Sequence, residues 1–600
     1  MEQKVAAAPP TTASADPAVK APDRLRALVR GNELGLSVLA VAIGAASGLL
    51  VIGIAALAQW MHVLFFTIRP DERLSAVGDL ATPSLVFLPA AGGLALGVLL
   101  FALSRRRRNR ALVDPIEANA LHGGRMSLTD SLIVVAQNVI SNGFGASVGL
   151  EAAYTQICSG VASRIGISFQ MRRSDMRTLV GCGAAGAIAA AFNAPLTGAF
   201  YAFELVIGTY SIATLTPVVA AALVGALISR IFVGNAYLID IGAPGPVYAL
   251  DYPPAIALAV LAAGIGILVM TTVTRTEALF RLSRVPTALR PALGGLVLAG
   301  LATITPQVLS AGHGAMHATF DASLSATTLL LLLFLKAFAS AISIGSGFRG
   351  GLFFASLFLG SILGKLFAIV AAAIFGAAAL SSPIYALVGM STMAVSIIGG
   401  PLTMTFLALE MTGDLPVTAL VLAAVVTASM TVRKTFGYSF ATWRFHLRGE
   451  SIRSAHDVGW IRNLSVGRMM RRDLRTASED TTLKVFRRDF PLGSSQRVII
   501  TDRADAYVGI VLVPDAYSED IDDLDKSVKE LVRFKDFMLL PQMNAREASR
   551  LFDRAESEAL AVVDDPASKR VLGLLTESHL LRRYSEELEA RRREAAGETV

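Results

Sequence analysis

Along most of this chain the apolar positions do not alternate with polar ones; they run on. Apolar stretches cover 34–64, 83–103, 212–232, 254–273, 291–309 and 326–343, with more near 352–375 and 415–432. A helix needs about 20 apolar residues to cross the hydrocarbon of a bilayer, so each stretch predicts a spanning helix. Shorter apolar pieces cut by Gly and Pro lie between them, at 130–165, 178–207 and 384–412. Broken backbone at membrane depth is tolerated only where it is buried in protein or lines a cavity. Short broken helices of this kind point to a transport site.

Beyond residue 450 the pattern changes to one dense in Arg, Asp and Glu. A helix-like stretch at 480–490 precedes strand-like 498–500 and 508–511, and a second helix-like stretch at 544–555 precedes 560–563 and 571–575. Two helix–strand–turn–strand units predict a small tandem α/β module. Three domains follow: a polar N-terminal tail at 1–32, a membrane domain at 33–450 and a water-exposed module at 451–600. The tail has no apolar core segment of the signal-peptide kind and reads as disordered.

Composition supports lipid as the main solvent. Hydrophobic residues make up 53% and charged ones 17%, against roughly a quarter charged in soluble chains. The two cysteines, Cys158 and Cys182, lie in apolar stretches, which argues against a disulfide framework or a thiolate metal site. A net charge of +7 would suit nucleic acid, but the arginines sit beside the membrane segments. Arg24, Arg26 and Arg30 precede the first span, and Arg105, Arg106, Arg107, Arg108 and Arg110 follow the second. Two crossings return the chain to its starting side, which the positive-inside rule makes cytoplasmic. Both termini are expected there, with no nucleic-acid partner. Loop 67–82 mixes Arg69 and Arg73 with Asp71, Glu72 and Asp79, as suits the opposite side.

The membrane part repeats itself. Pro195-Leu196-Thr197 through Glu204-Leu205 matches Pro401-Leu402-Thr403 through Glu410-Met411, an offset of 401 − 195 = 206. Gly149-Leu150-Glu151 matches Gly351-Leu352-Phe353, an offset of 351 − 149 = 202. Two homologous halves are implied, with the substrate at their interface. Spacing alone leaves a parallel and an inverted arrangement open.

Glu151 is the only charged side chain between Asp130 and Arg164. An ionisable group at membrane depth is costly and marks a pathway. Gly143, Gly145 and Gly149 precede it, and a helix starting there would aim backbone N–H groups at an anion. A carboxylate in that place competes with a halide for the same amides, so Glu151 is read as a gate, and as a proton carrier when it protonates. Glu204 and Glu410 are kept in both halves, which favours a shared structural role as acceptors for loop backbone. Tyr438, after the last apolar run, is either an interfacial tyrosine or an anion-binding hydroxyl.

Two motifs are set aside. Gly345 to Gly351 is Gly-rich but lacks the Lys-Ser/Thr ending of a nucleotide loop. Gly145-Ala146-Ser147-Val148-Gly149 fits the hydrolase nucleophile elbow, but Ser147 would need a base, and the histidines are read as lying outside long apolar runs. His313 and His317 are read as loop residues. An intramembrane serine hydrolase therefore stands as the alternative of another class. A transport-dead sensor acting through its tail is a third reading.

Over about 33–445 these residues resemble the CLC family of chloride channels and chloride/proton antiporters. Its three signatures align with Ala111–Pro115, where the proline survives; with Gly149–Ala153, where the gating glutamate is Glu151; and with Gly351–Ala355, where Gly351 and Phe353 survive. Phe192–Gly198 and Pro401–Thr412 are its most specific matches, and Gly437-Tyr438-Ser439 is similar to the stretch carrying its anion-coordinating tyrosine. The resemblance implies an all-α, polytopic inverted repeat of tilted and broken helices. It also implies a homodimer with one pore per subunit, a multi-pass place in the membrane (here a bacterial inner membrane), and chloride or another small anion as substrate. Amides of Phe353 and Phe354 and the hydroxyl of Tyr438 would hold the anion, with Gly149 and Gly351 lining the pore. Leu112 stands at the family's selectivity serine. Leu205 stands where its antiporters place an inner proton-transfer glutamate, which favours a channel over the antiporter alternative. The tail resembles a pair of CBS-type domains at about 466–525 and 536–590. That implies an adenine nucleotide as a cofactor, although His579 replaces the expected acidic residue and a dimerising or gating scaffold is the plainer reading. No metal or catalytic residue is expected.

Overall fold

A computed structural model describes residues 33–80, 82–106, 112–234, 246–321, 324–376, 379–447, 464–518 and 523–595, with 21–23 and 26. Most of the 1–32 tail, with Arg24 and Arg30, lies outside the described residues, as do Arg107, Arg108, Arg110, Ala111 and His456. The chain divides into two compact units, Met1–Asp457 and Val458–Val600.

The described residues of the first unit build helices joined by turns. In chain order come α1 (Glu33–Phe66), α2 (Leu88–Arg106), α3 (Pro115–Leu121), α4 (Leu128–Gly143), α5 (Glu151–Ser168), α6 (Arg173–Phe192), α7 (Pro195–Tyr201) and α8 (Ile212–Val233). Then follow α9 (Tyr252–Leu282), α10 (Arg290–Ala302), α11 (His313–Asp321), α12 (Ala326–Ser346), α13 (Phe353–Phe375), α14 (Ser382–Ile398), α15 (Pro401–Thr412), α16 (Leu415–Thr435) and α17 (Phe440–Leu447). Among the described residues, seven helical segments are long and apolar enough to cross a membrane, and the chain is a multi-pass membrane protein. Helices start where a side chain can take an orphan amide: Ser127, Ser211, Ser325 and Asp414 cap α4, α8, α12 and α16 in this way.

Three expectations change. The stretch 291–309 is not one span, because α10 ends at Ala302 and Thr305-Pro306 opens a separate short turn. Pro306 has no amide proton to continue a helix. His313 and His317 are not in a loop but lie on α11. His62, likewise, sits inside an apolar run, near the end of α1.

Small residues let the helices close. A Cβ on Gly364 of α13 would stand 2.0 Å from the carbonyl oxygen of Tyr385 on α14, and one on Gly183 of α6 would stand 2.5 Å from that of Cys158 on α5. Without a hydrophobic drive between helices in lipid, such backbone approach is what holds them.

The halves contact each other reciprocally. Gly149 N–H donates to Gly351 O at 2.9 Å, and Gly351 N–H donates to Gly149 O at 3.2 Å, in an antiparallel bridge. Exchange of the same bonds between equivalent residues is the mark of a two-fold relation. The halves are thus related by a two-fold, as an inverted repeat requires.

The second unit holds α18 (Val466–Met469), β1 (Thr476–Ser478), α19 (Leu483–Asp489), β2 (Arg497–Thr501), β3 (Tyr507–Leu512), α20 (Ala545–Ala555), β4 (Ala559–Val563), β5 (Val571–Thr576) and α21 (Glu577–Ala595). β1 pairs parallel with β2, β2 antiparallel with β3, and β4 antiparallel with β5. Ile499, Tyr507 and Ile510 from the first sheet share a core with Ala561 and Val563 from the second. These are the two helix–strand–turn–strand units read from the pattern.

Candidate functional site: a carboxylate between two cavities

Glu151 is the first residue of α5 and Phe353 the first of α13. The Gly149–Gly351 bridge brings these two helix starts together. Polar side chains in neighbouring helices hold the irregular backbone that leads into them. Asn138 donates to Gly149 O at 3.1 Å and Arg349 O at 2.7 Å, Asn142 donates to Val148 O at 2.8 Å, and Ser343 accepts from Ser147 N–H at 3.0 Å. Backbone that neither a helix nor water can satisfy is thus paired inside the protein.

The Glu151 side chain is 5% exposed. Its carboxylate meets the backbone amides of Glu151 itself and of Phe354, while its Oε2 has no hydrogen-bond partner. Two helix N-termini carrying positive partial charge therefore converge on one acidic side chain.

Glu151 is also the wall between two cavities. The first, about 220 Å³, is lined among others by Gln59, His62, Arg73, Asn142, Glu151 and His313. Behind it lies the fully buried Lys336, whose Nζ donates to Val308 O at 3.1 Å and Ser310 O at 2.8 Å. His313 stacks on Phe354 at 3.5 Å between ring centroids. A wider cavity of about 570 Å³ shares Arg73 and His313 with the first. The second cavity, about 190 Å³, lies on the other side of Glu151 and includes Asp114, Tyr201, Leu205, Arg349, Phe353 and Arg444 in its wall.

Of the residues singled out in the sequence, Glu151, Gly149, Gly351, Phe353 and Phe354 come together. Gly351 lines the second cavity, whereas Gly149 lines neither and serves through its bridge. Leu112 lines neither cavity. Tyr438 is not brought to the site. Gly437, at φ +87°, turns the chain, and the Tyr438 ring stacks on His446 at 4.7 Å. α17 starts at Phe440, and it is Phe440 that reaches the second cavity, so the expected hydroxyl is replaced there by a phenyl ring. Ser147 also lines neither cavity; its hydroxyl lies 3.1 Å from that of Ser340.

Glu204 and Glu410 form a reciprocal clasp. Glu204 accepts from Leu402 N–H (2.9 Å), Thr403 N–H (2.8 Å) and the Thr403 hydroxyl (2.6 Å) at the start of α15. Glu410 accepts from Leu196 N–H (2.7 Å), Thr197 N–H (2.9 Å) and the Thr197 hydroxyl (2.6 Å) at the start of α7.

Sequence reasoning missed Tyr201, His62, Arg73 and His313. A signal for Tyr201 was present: at the 206-residue offset the other half has Leu407, so the phenol breaks the repeat. The three basic residues are gathered only by folding.

An inverted repeat of membrane helices, with helix N-termini meeting at one acidic side chain between two cavities, defines a membrane permeation protein. The chain belongs to the voltage gated chloride channel family, whose pattern it matches over residues 92–433. A ClcB-like protein of Ralstonia nicotianae is 31% identical over 363 residues, 58% of this chain and 82% of the relative. The voltage-gated ClC-type chloride channel ClcB of Escherichia coli is 30% identical over 384 residues, 63% of this chain and 90% of that one. A slow cyanobacterial Cl−/H+ antiporter matches with TM-score 0.61 at 20% identity, covering 69% of this chain and 97% of the other. A eukaryotic CLC transporter matches with TM-score 0.59 at 18% identity, covering 92% of this chain and 98% of the other.

Proposed function

We propose that this chain passes small anions, chloride foremost, across the membrane through the two cavities that meet at Glu151, and that Glu151 is the gate. The observation that carries the reading is that one carboxylate walls both cavities while facing the amides of two helix N-termini. An anion moving between the cavities must take the place of that carboxylate. Arg73 at the first cavity, and Arg349 and Arg444 in the second, supply the charge that draws an anion in. With Leu205 in the wall of the second cavity, the preferred reading is a channel-like pore. The related channels of Escherichia coli support it.

A second reading, anion/proton antiport, is favoured by one observation: the second cavity holds another carboxylate, Asp114. The structurally similar Cl−/H+ antiporter supports this reading. By the same proposal the second cavity opens to the cytoplasm, the side of Arg105, Arg433 and Lys434. The functional unit is a homodimer, and the α/β unit is a gating or dimerising scaffold. In that unit partial burial, with the charges of Arg582, Arg471 and Arg583, holds His579 below the ordinary histidine range.

The test is chloride efflux from proteoliposomes with a pH electrode outside, for the wild type and Glu151→Gln. Efflux without proton movement supports the pore. Efflux that drives protons uphill, abolished in the variant, supports antiport. No efflux of chloride, nitrate or fluoride would sink both.

A further inference from the structure

Resting on the reading of the two cavities as an anion path, we propose that the first cavity holds an anion site of its own, on the Arg73 side of Glu151, in which the Ser310 hydroxyl donates to the anion and sets a preference for chloride over larger, weakly hydrated anions. Ser310 lies between the turn at Pro306–Val308 and the start of α11. It stands in the wall of the first cavity with Glu151 and Arg73 and is 7% exposed. Its backbone is engaged on both sides: the N–H donates to Gly145 O at 3.1 Å, and the carbonyl accepts from Lys336 Nζ at 2.8 Å. The hydroxyl is only half used. Asn142 donates to Val148 O at 2.8 Å and to Ser310 Oγ at 3.2 Å, both through Nδ2. A carbonyl can only accept, so Val148 fixes which end of the Asn142 amide faces this corner, and Ser310 Oγ is the acceptor there. A serine hydroxyl has one proton of its own to give. Among the described residues nothing takes it. A buried hydroxyl with its donor to spare, in a cavity wall, addresses what the cavity contains.

The backbone makes the same point by another route. Ser310 has φ +54°, a left-handed conformation that is uncommon for residues other than glycine. Glycine would adopt it freely and would keep both backbone bonds, to Gly145 and to Lys336. The turn therefore does not ask for a serine, and the side chain is left to account for it. Backbone outliers of this kind gather at functional sites.

The ligand follows from the wall. A free O–H donor beside the guanidinium of Arg73 suits an anion. Glu151 is the acidic side chain in the described wall, whereas Asp71 and Glu72 line only the wider cavity outside. An anion that sheds water must regain hydrogen bonds from the protein. Chloride holds its water firmly and gains most from the hydroxyl; thiocyanate holds its water weakly and gains little. The second cavity presents Leu205 and Phe440 in its wall, so the discrimination is assigned to the first.

The experiment measures chloride and thiocyanate efflux from proteoliposomes holding the full chain, over a range of internal anion concentration. The variants are Ser310→Gly and Ser310→Asn, each alone and with Glu151→Gln. Glycine removes the hydroxyl and relaxes the backbone; asparagine tolerates the left-handed conformation and brings back an N–H donor. Ser310→Gly should lower the chloride-to-thiocyanate ratio about tenfold, the worth of one hydrogen bond to a charged group, chiefly by raising the half-saturating chloride concentration. Ser310→Asn should return the ratio toward that of the wild type. The same fall should appear in the Glu151→Gln background, because the site is separate from the gate. Bromide in crystals of the wild type gives a second readout that needs no variant to fold: an anomalous peak within hydrogen-bond reach of Ser310 Oγ is expected. An unchanged ratio in Ser310→Gly, an equal loss of both anions, or no bromide at Ser310 overturns the site and leaves the path intact. Wild-type vesicles that pass neither anion overturn the path with it.

Discussion

Glu204 and Glu410 occupy equivalent places in the two halves and make the same three bonds, whereas Glu151 and Phe353 occupy equivalent places and share nothing but a helix start. The clasp closes symmetrically because each glutamate satisfies two amides and a hydroxyl that the opposite half leaves open. The mouth between the halves holds one carboxylate. There a carboxylate from one side faces a phenyl ring from the other, and the carboxylate oxygen lacks a partner. Symmetry marks what holds the fold; its loss marks what the fold is for.

The strongest way to break that comparison is to remove the clasp. Glu204→Ala and Glu410→Ala each strip three charge-assisted bonds and should destabilise the protein by on the order of 3 kcal/mol, and by similar amounts. Thermal unfolding in detergent reads both, and a silent result at either position would end the claim of equivalence. At the mouth the reverse is expected. Glu151→Gln removes no bond from Oε2, so stability should move by less than about 0.5 kcal/mol. Chloride efflux should rise about tenfold, equivalent to roughly 1.4 kcal/mol.

The paired glycines sharpen the contrast. A Cβ on Gly149 would stand 1.9 Å from Glu151 Oε2, whereas one on Gly351 would stand 3.6 Å from it. Gly149→Ala should push the carboxylate aside at a cost of about 1 kcal/mol and move efflux toward that of Glu151→Gln. Gly351→Ala should leave efflux near the wild type. Parallel efflux assays on the two variants decide it. The smallest effect lies in the α/β unit, whose halves also differ. Asn544 caps α20 by accepting from Arg546 and Glu547 N–H, while Thr482 makes no such bond at α19. Asn544→Ala should lower the melting of that unit by about 1 kcal/mol and Thr482→Ala by only a few tenths, as calorimetry would read.

Much of this was legible in the chain. Long apolar runs mark the spans, and the two Pro-Leu-Thr…Glu segments mark the repeat, because period and identity survive in one dimension. Glu151, the residue proposed as the gate, stood out because a lone carboxylate among glycines is costly at membrane depth. What could not be read was distance. Whether Tyr438 or Phe440 reaches the cavity depends on a turn at Gly437, and no propensity reports a shift of two residues. His313 lies far from both His62 and Arg73 in sequence and meets them at the first cavity only when α11 packs on the turn at Leu74–Ala76. The stretch 291–309 read as one span because hydropathy outweighs Thr305-Pro306 in a sliding window.

The reciprocal clasp bears on ancestry. A half-chain with its own Pro-Leu-Thr turn and its own glutamate would bind a second copy of itself by this very contact, since the contact is self-complementary. In such a pair every change would appear twice, and an acidic side chain entering the mouth would meet its own image and be repelled. Joining the copies into one polypeptide lets one keep a glutamate while the other takes a phenylalanine. An unequal mouth in an equal frame is open only to a duplicated gene.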